Sequence, residues 1–215
     1  KLFYDNVLSI DQSINCGSCH KASIAFSDDL ALSDGVKSRP GIRNAPTLVN
    51  VAYHPYYTRE GGVPTLEMQV LVPIQEHNEF AFNIVKAGER LAKDSQYIAM
   101  SKEAYNRAPD YYVITRAIAN FERTLISGNS PFDKYTYQNQ SGALNATEKA
   151  GMELFYSEKT NCSNCHSGFN FSNYAFENNG LYESYNDEGR MRLTNNSEDE
   201  ALFKVPTLRN VTLTG

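Results

Sequence analysis

A chain of 215 residues has room for one large domain or two small ones around a buried core. A hydrophobic fraction of 41% and a charged fraction of 21% exclude wholesale disorder, and no apolar run reaches the roughly 20 residues that cross a bilayer. The net charge of −5 argues against nucleic acid as a partner, which calls for a basic face.

In chain order, Leu2-Phe3-Tyr4 begins a short helix that leads to Cys16-Gly17-Ser18-Cys19-His20. Pro64 to Val72 opens with proline at a helix start and sets Leu66, Val70 and Leu71 along one side. Tyr111 to Ile126 is the clearest helix, with Ile114, Ile118, Phe121 and Leu125 at helical spacing. Gly128 offers its stop, and Ser130-Pro131 begins a loop. The polar, glycine-ended stretch from Gln138 to Gly142 marks a boundary between domains 1–140 and 141–215. Asn145 to Ser157 opens with an N-cap and Glu148 three residues on, and runs toward Cys162-Ser163-Asn164-Cys165-His166. No strand pattern of comparable strength is present, so the fold class is mainly α.

All four cysteines fall in two C-x-x-C-H units. The two-residue spacing lets both thiols reach the vinyl groups on one porphyrin edge, and the following histidine then lies under the ring as an iron ligand. A redox dithiol or a zinc clamp are the competing readings. A zinc ribbon, however, separates its pairs by about 15–20 residues, whereas most of this chain lies between Cys19 and Cys162. A dithiol leaves His20 and His166 without a role. The motifs therefore predict two covalent c-type haems, attached at Cys16, Cys19, Cys162 and Cys165 with His20 and His166 on iron. Attachment of such haems outside the cytoplasm predicts the periplasm. The −5 charge grows more negative with four ionised propionates.

The sequence also repeats. Leu2-Phe3-Tyr4 and Leu154-Phe155-Tyr156 precede the two motifs, and Ala45-Pro46-Thr47-Leu48-Val49-Asn50-Val51 and Val205-Pro206-Thr207-Leu208-Arg209-Asn210-Val211 follow them. Two cytochrome c-type domains, each with one haem, explain this most simply. The repeat predicts a closing segment for the second domain beyond Gly215, where a distal ligand of the second haem would lie. No leader pattern opens the chain, so any signal peptide is expected to have been removed or to lie outside this sequence.

With these residues in place, the chain resembles the bacterial dihaem cytochrome c peroxidase family, which includes the MauG-type enzymes. The resemblance covers nearly all of the chain. Its marks are Lys1-Leu2-Phe3-Tyr4-Asp5, Arg43-Asn44-Ala45-Pro46-Thr47, Leu66-Glu67-Met68-Gln69, Phe121-Glu122-Arg123-Thr124-Leu125, Ser130-Pro131-Phe132-Asp133 and Phe203-Lys204-Val205-Pro206-Thr207-Leu208-Arg209-Asn210. It implies that the haem at His20 is the peroxidatic, low-potential site and that the haem at His166 takes electrons from a small donor protein, a c-type cytochrome or a cupredoxin. It matches Glu79 to the distal-pocket glutamate and Gln69 to its neighbouring glutamine. A carboxylate there would relay a proton between the oxygens of hydrogen peroxide, two electrons and two protons yielding water. The resemblance also matches Asn44 to a calcium ligand, with backbone carbonyls near Lys204 and Pro206 as further oxygens, and it allows a homodimer.

Two departures from the family pattern stand out. Val36 occupies the slot of the switchable distal histidine, so the peroxidatic haem is expected to rest open or water-bound. Arg59-Glu60-Gly61 stands where family members carry Trp-Asp-Gly, and the chain has no tryptophan; Tyr56 and Tyr57 are the aromatic residues nearby, as redox stepping stones or as packing. His54 reads as a surface residue and His77 as an exposed or hydrogen-bonded one. Met68, Met100 and Met152 read as core, and Met191 as a weak ligand candidate. The function that follows is reduction of hydrogen peroxide, with a MauG-like oxidase acting on a protein and a non-enzymatic electron carrier as alternatives.

Overall fold

The computed structural model describes residues 1–214. Its helices are α1 (Cys16–Cys19), α2 (Leu66–Gln69), α3 (Leu71–Gln75), α4 (Ile84–Leu91), α5 (Ser95–Tyr105), α6 (Tyr111–Arg123), α7 (Pro131–Tyr137), α8 (Ala146–Phe155) and α9 (Met191–Thr194), joined by short 3₁₀ turns and loops. The only ladder among the described residues pairs β1 (Phe176–Glu177) with β2 (Phe203–Lys204), antiparallel. The chain is helix and loop.

Contacts gather it into two compact units, one of Lys1–Tyr57, Val63–Leu125 and the stretch from Asn210 on, the other of Thr58–Gly62 and Ile126–Arg209. The polar stretch at 138–142 thus lies within the second unit, because α7 is tied to the Pro-Thr-Leu segment by a buried ion pair between Asp133 and Arg209.

The core of the first unit is built on α6. Asp110 caps it by accepting from Val113 N–H, and Ile114, Ile118 and Ala119 face inward against Leu66 of α2, Val70 just after it, and Ala87 and Leu91 of α4. Burying a side chain of this kind contributes about 1.5–3 kcal/mol. α6 ends at Thr124, a turn before the expected stop at Gly128, and Ile126 is exposed. The expected helix from Pro64 to Val72 is two short ones. Thr65 rather than Pro64 caps α2, and Pro73 has no N–H to give to Gln69 O, so the helix breaks at Val70. Arg90 of α4 donates to the carbonyls of Val7 and Ser9, each at 2.7 Å, and so pins the segment that leads into α1.

In the second unit, Ser130-Pro131 starts a helix rather than a loop. Ser130 accepts from Asp133 N–H at 3.2 Å while Asp133 accepts from Ser130 N–H at 2.9 Å, a complete capping box with proline in the first turn. The expected box at Asn145 and Glu148 opens α8.

Candidate haem sites and their surroundings

Each C-x-x-C-H unit is one tight turn. In the first, Asn15 and Ser18 cap α1 reciprocally, and His20 N–H donates to Cys16 O at 2.9 Å. Gly17 lies so close to the Tyr4 ring that a Cβ would come within 2.7 Å of it. In the second, Cys162–Asn164 form a 3₁₀ turn, and His166 N–H donates to Cys162 O at 2.9 Å. The four cysteines are free thiols, all half-buried.

The histidines are oriented in the same way in both halves. His20 Nδ1 lies 2.9 Å from Phe26 O, and His166 Nδ1 lies 3.0 Å from Phe171 O. A carbonyl can only accept, so Nδ1 carries the proton and Nε2 of the neutral ring keeps its lone pair. Burial, opposed by the carbonyls of Phe26 and Pro46, pushes the His20 pKa down and keeps that ring neutral. This is the arrangement of an iron-binding imidazole supported by a backbone acceptor.

Around the first motif the sequence places polar groups in an apolar setting. Glu79 follows α3 in a turn closed by its N–H on Glu76 O, and its own carbonyl accepts from Val36 N–H at 2.9 Å. Val36 is fully buried there. Gly35 passes so close that a Cβ would sit 1.9 Å from Asn78 O. Burial, reinforced by the negative Glu76, lifts the Glu79 pKa to about 7. Gln69 ends α2 with a buried Oε1 that has no hydrogen-bond partner.

Glu122 is a residue to which the sequence reading assigned no role. It lies on the buried face of α6, 8% exposed, with Oε2 buried and unpartnered. Its neighbour Arg123 is engaged by Glu67 at 2.8 Å, so it neutralises Glu122 only in part. Burial lifts the Glu122 pKa to about 8, opposed by Arg123 and helped by Glu67. Cys16 is pushed up by burial and then by Glu122, with Cys19 and Glu79 adding less. The Cys19 thiol rises to about 11 through burial, with Asp28 and then Glu79 adding. Both carboxyls therefore act electrostatically on the first attachment motif. In the sequence, Glu122 stands out as a charged residue at a core position of the α6 repeat, inside the Phe121–Leu125 stretch that carries the family resemblance.

These surroundings fit a covalent haem. They offer free thiols at attachment spacing, a histidine with its Nε2 lone pair presented, and buried polar atoms, Gln69 Oε1 and Glu122 Oε2, that protein leaves unsatisfied at a cost of about 1–3 kcal/mol each.

Asn44 is half-buried in the loop ahead of Pro46. Tyr57 is buried with its hydroxyl on Val51 O at 3.2 Å, as a packing residue would be. His54 is not a surface residue: it is half-buried, its Nε2 is shielded, and its ring stacks on Tyr57. His77 is exposed. Met68 and Met100 are exposed rather than core, because α2 and α5 turn Leu66 and Tyr97 inward instead; Met152 and Met191 are half-buried.

A family model described as di-haem cytochrome c peroxidase matches residues 1–141. Cytochrome c peroxidase Ccp of Escherichia coli (strain K12) is 36% identical over 99% of this chain and 47% of its own length. Cytochrome c551 peroxidase of Nitrosomonas europaea is 34% identical over 99% of this chain and 64% of its own length. Methylamine utilization protein MauG of Methylorubrum extorquens is 32% identical over all of this chain and 61% of its own length. The chain thus spans about half to two thirds of the length of these curated relatives. Among solved structures, a MauG-like protein associated with microbial copper homeostasis superposes with a TM-score of 0.90 at 27% identity, over all of this chain and 68% of that one. The diheme peroxidase BthA from Burkholderia thailandensis E264, at 20% identity and a TM-score of 0.81 over 98% of this chain and 64% of that one, shares the fold. On its family match and its two C-x-x-C-H sites, the chain belongs to the di-haem cytochrome c peroxidase family.

Proposed function

We propose that this chain forms the dihaem part of a periplasmic cytochrome c peroxidase, which reduces hydrogen peroxide to water with electrons from a small c-type cytochrome or cupredoxin. Residues 1–140 would hold the peroxidatic haem through Cys16, Cys19 and His20, and residues 141–215 the electron-accepting haem through Cys162, Cys165 and His166. The observation that carries the reading is Glu79, a buried carboxyl lifted to about 7, latched through its own carbonyl to Val36 and acting electrostatically on both thiols of the first attachment motif.

When bound, the haem supplies the redox chemistry. The polypeptide supplies position and protons. His20 presents Nε2 because Phe26 O fixes its other nitrogen. Glu79, poised near neutrality, takes a proton from bound hydrogen peroxide on a carboxylate oxygen and returns it to the departing oxygen. Gln69 Oε1 accepts a hydrogen bond from the bound molecule and orients it. Val36, apolar and buried, offers no ligand of its own, so the site stays open to peroxide. Glu122 holds a second proton on the Cys16 side of the first motif. Asn44 contributes an amide oxygen to a calcium ion in this reading, with backbone carbonyls as the other ligands, a donor set that suits a hard cation.

Peroxide-dependent oxidation of a reduced donor cytochrome tests the proposal. Turnover that collapses in Glu79→Gln supports it. Peroxide consumption without donor turnover would move the reading to a MauG-like oxidase that modifies a protein, and no reaction with peroxide would leave an electron carrier.

A further inference from the structure

The two proximal histidines are held by the same construction, with one difference. In both halves the acceptor carbonyl belongs to a phenylalanine in the left-handed region, Phe26 at φ 57° and Phe171 at φ 49°. In both, the threonine of the Pro-Thr-Leu segment donates to the carbonyl just before it, Thr47 to Ala25 and Thr207 to Asn170, each at 2.6 Å. In both, the residue two positions after that threonine returns its N–H to the threonine oxygen at 3.1 Å. That residue is Val49 in the first half and Arg209 in the second.

Arg209 does what valine cannot. Its Nε donates to Phe169 O at 2.7 Å, and its two terminal nitrogens fork onto Asp133 at 2.9 and 2.6 Å. The guanidinium lies 4.3 Å from the Phe169 ring centroid and 5.7 Å from that of Phe171. Asp133 is itself fixed, accepting from Ser130 as the third residue of α7. The far side of the same loop is tied by Ser172, whose hydroxyl donates to Val205 O at 2.7 Å. A phenylalanine at positive φ costs about 1–3 kcal/mol and persists only where its surroundings over-determine it. Here the surroundings are an arginine fork anchored on a helix cap.

We propose that Arg209, locked by Asp133, is a positioning residue for His166: it fixes the Phe171 carbonyl that receives the Nδ1 proton, and so sets the orientation and donor strength of that imidazole. The first site has only the threonine part of this clamp. A firm Nδ1–H···O=C bond makes the ring a stronger donor and favours the oxidised iron. Loosening it favours reduction at the second site and leaves the first unchanged. The inference rests on the haem reading of His166.

The test uses the dihaem protein with Arg209→Lys, which keeps the charge but loses the fork and the Nε bond, and with the neutral pair Asp133→Asn/Arg209→Gln. Spectropotentiometric titration resolves the two haems. Both variants should shift the oxidised-to-reduced equilibrium of the His166 haem toward the reduced form by about tenfold, 59 mV for one electron. The His20 haem should not move. An unchanged His166 haem, or equal shifts in both haems, would overturn the proposal. So would failure of both variants to accumulate with two haems, which would make the pair a requirement of folding instead. Haem content of the unaltered protein is counted first by pyridine haemochrome; fewer than two haems would refute the underlying reading whatever Arg209 does.

Discussion

Glu122 makes stability depend on pH in a direction that can be worked out. Its carboxyl is buried, its Oε2 lacks a partner, and Arg123 is committed to Glu67, so the proton is held more tightly in the folded chain than in the unfolded one. The folded pKa of about 8 stands above the ordinary 4.5. Stability from this group is therefore whole below about pH 4.5 and is lost as pH rises through 8. At about 1.4 kcal/mol per unit, full expression of that rise is worth roughly 5 kcal/mol, an upper bound. For a chain of this size 1 kcal/mol moves Tm by about 2–4 °C. Replacing Glu122 by Gln keeps the shape and removes the titration. Calorimetric melting from pH 5 to pH 9 should show Tm of the parent falling by up to about 10–20 °C relative to the variant. Glu67 and Arg123 are the charged neighbours and both stay in place in the variant, while Cys16, which Glu122 also acts on, has no thiol left to titrate once haem is attached. Melting curves that fall in parallel would refute the reasoning.

Gly35→Ala forces a Cβ against the Asn78 carbonyl and should cost about 1–3 kcal/mol while breaking the Val36–Glu79 latch, read as a lower Tm with a loss of peroxide reactivity. Because Val36 cannot bind iron, electron paramagnetic resonance of the oxidised holoprotein should show no bis-histidine signal from the first haem, and finding one would overturn the open-site reading. Tyr57→Phe should leave electron transfer between the haems unchanged, by stopped-flow absorbance, if the tyrosine only packs. Asn145→Ala removes a complete cap and should lower stability by about 1 kcal/mol in chemical denaturation.

What could be read before folding was whatever is local. The C-x-x-C-H turns, the α6 stripe and the Asn145–Glu148 cap depend on neighbours a few residues apart. The same locality made α7 legible in principle, since Ser130, Pro131 and Asp133 spell a capping box, but Ser-Pro also signals a turn, and the buried Arg209 that favours the helix is 76 positions away. The helix at Pro64 was split by Pro73, which the spacing of Leu66 and Val70 did not register. Glu122 and Arg209 show the limit most clearly. A glutamate at a core position and an arginine in a loop look like ordinary surface charges until long-range packing buries them. Their roles come from partners that no short window of sequence contains.

The central claim is that Glu79 moves the proton in peroxide reduction at the first haem. The direct measurement is the pH profile of kcat/KM for peroxide-dependent oxidation of a reduced donor cytochrome, by the parent and by Glu79→Gln. A carboxyl lifted to about 7 and needed as a base should give a rate that rises with pH through that value, and the variant should lose about 10²–10⁴-fold with the rise abolished. A variant that turns over at the parental rate with the same profile would contradict the account.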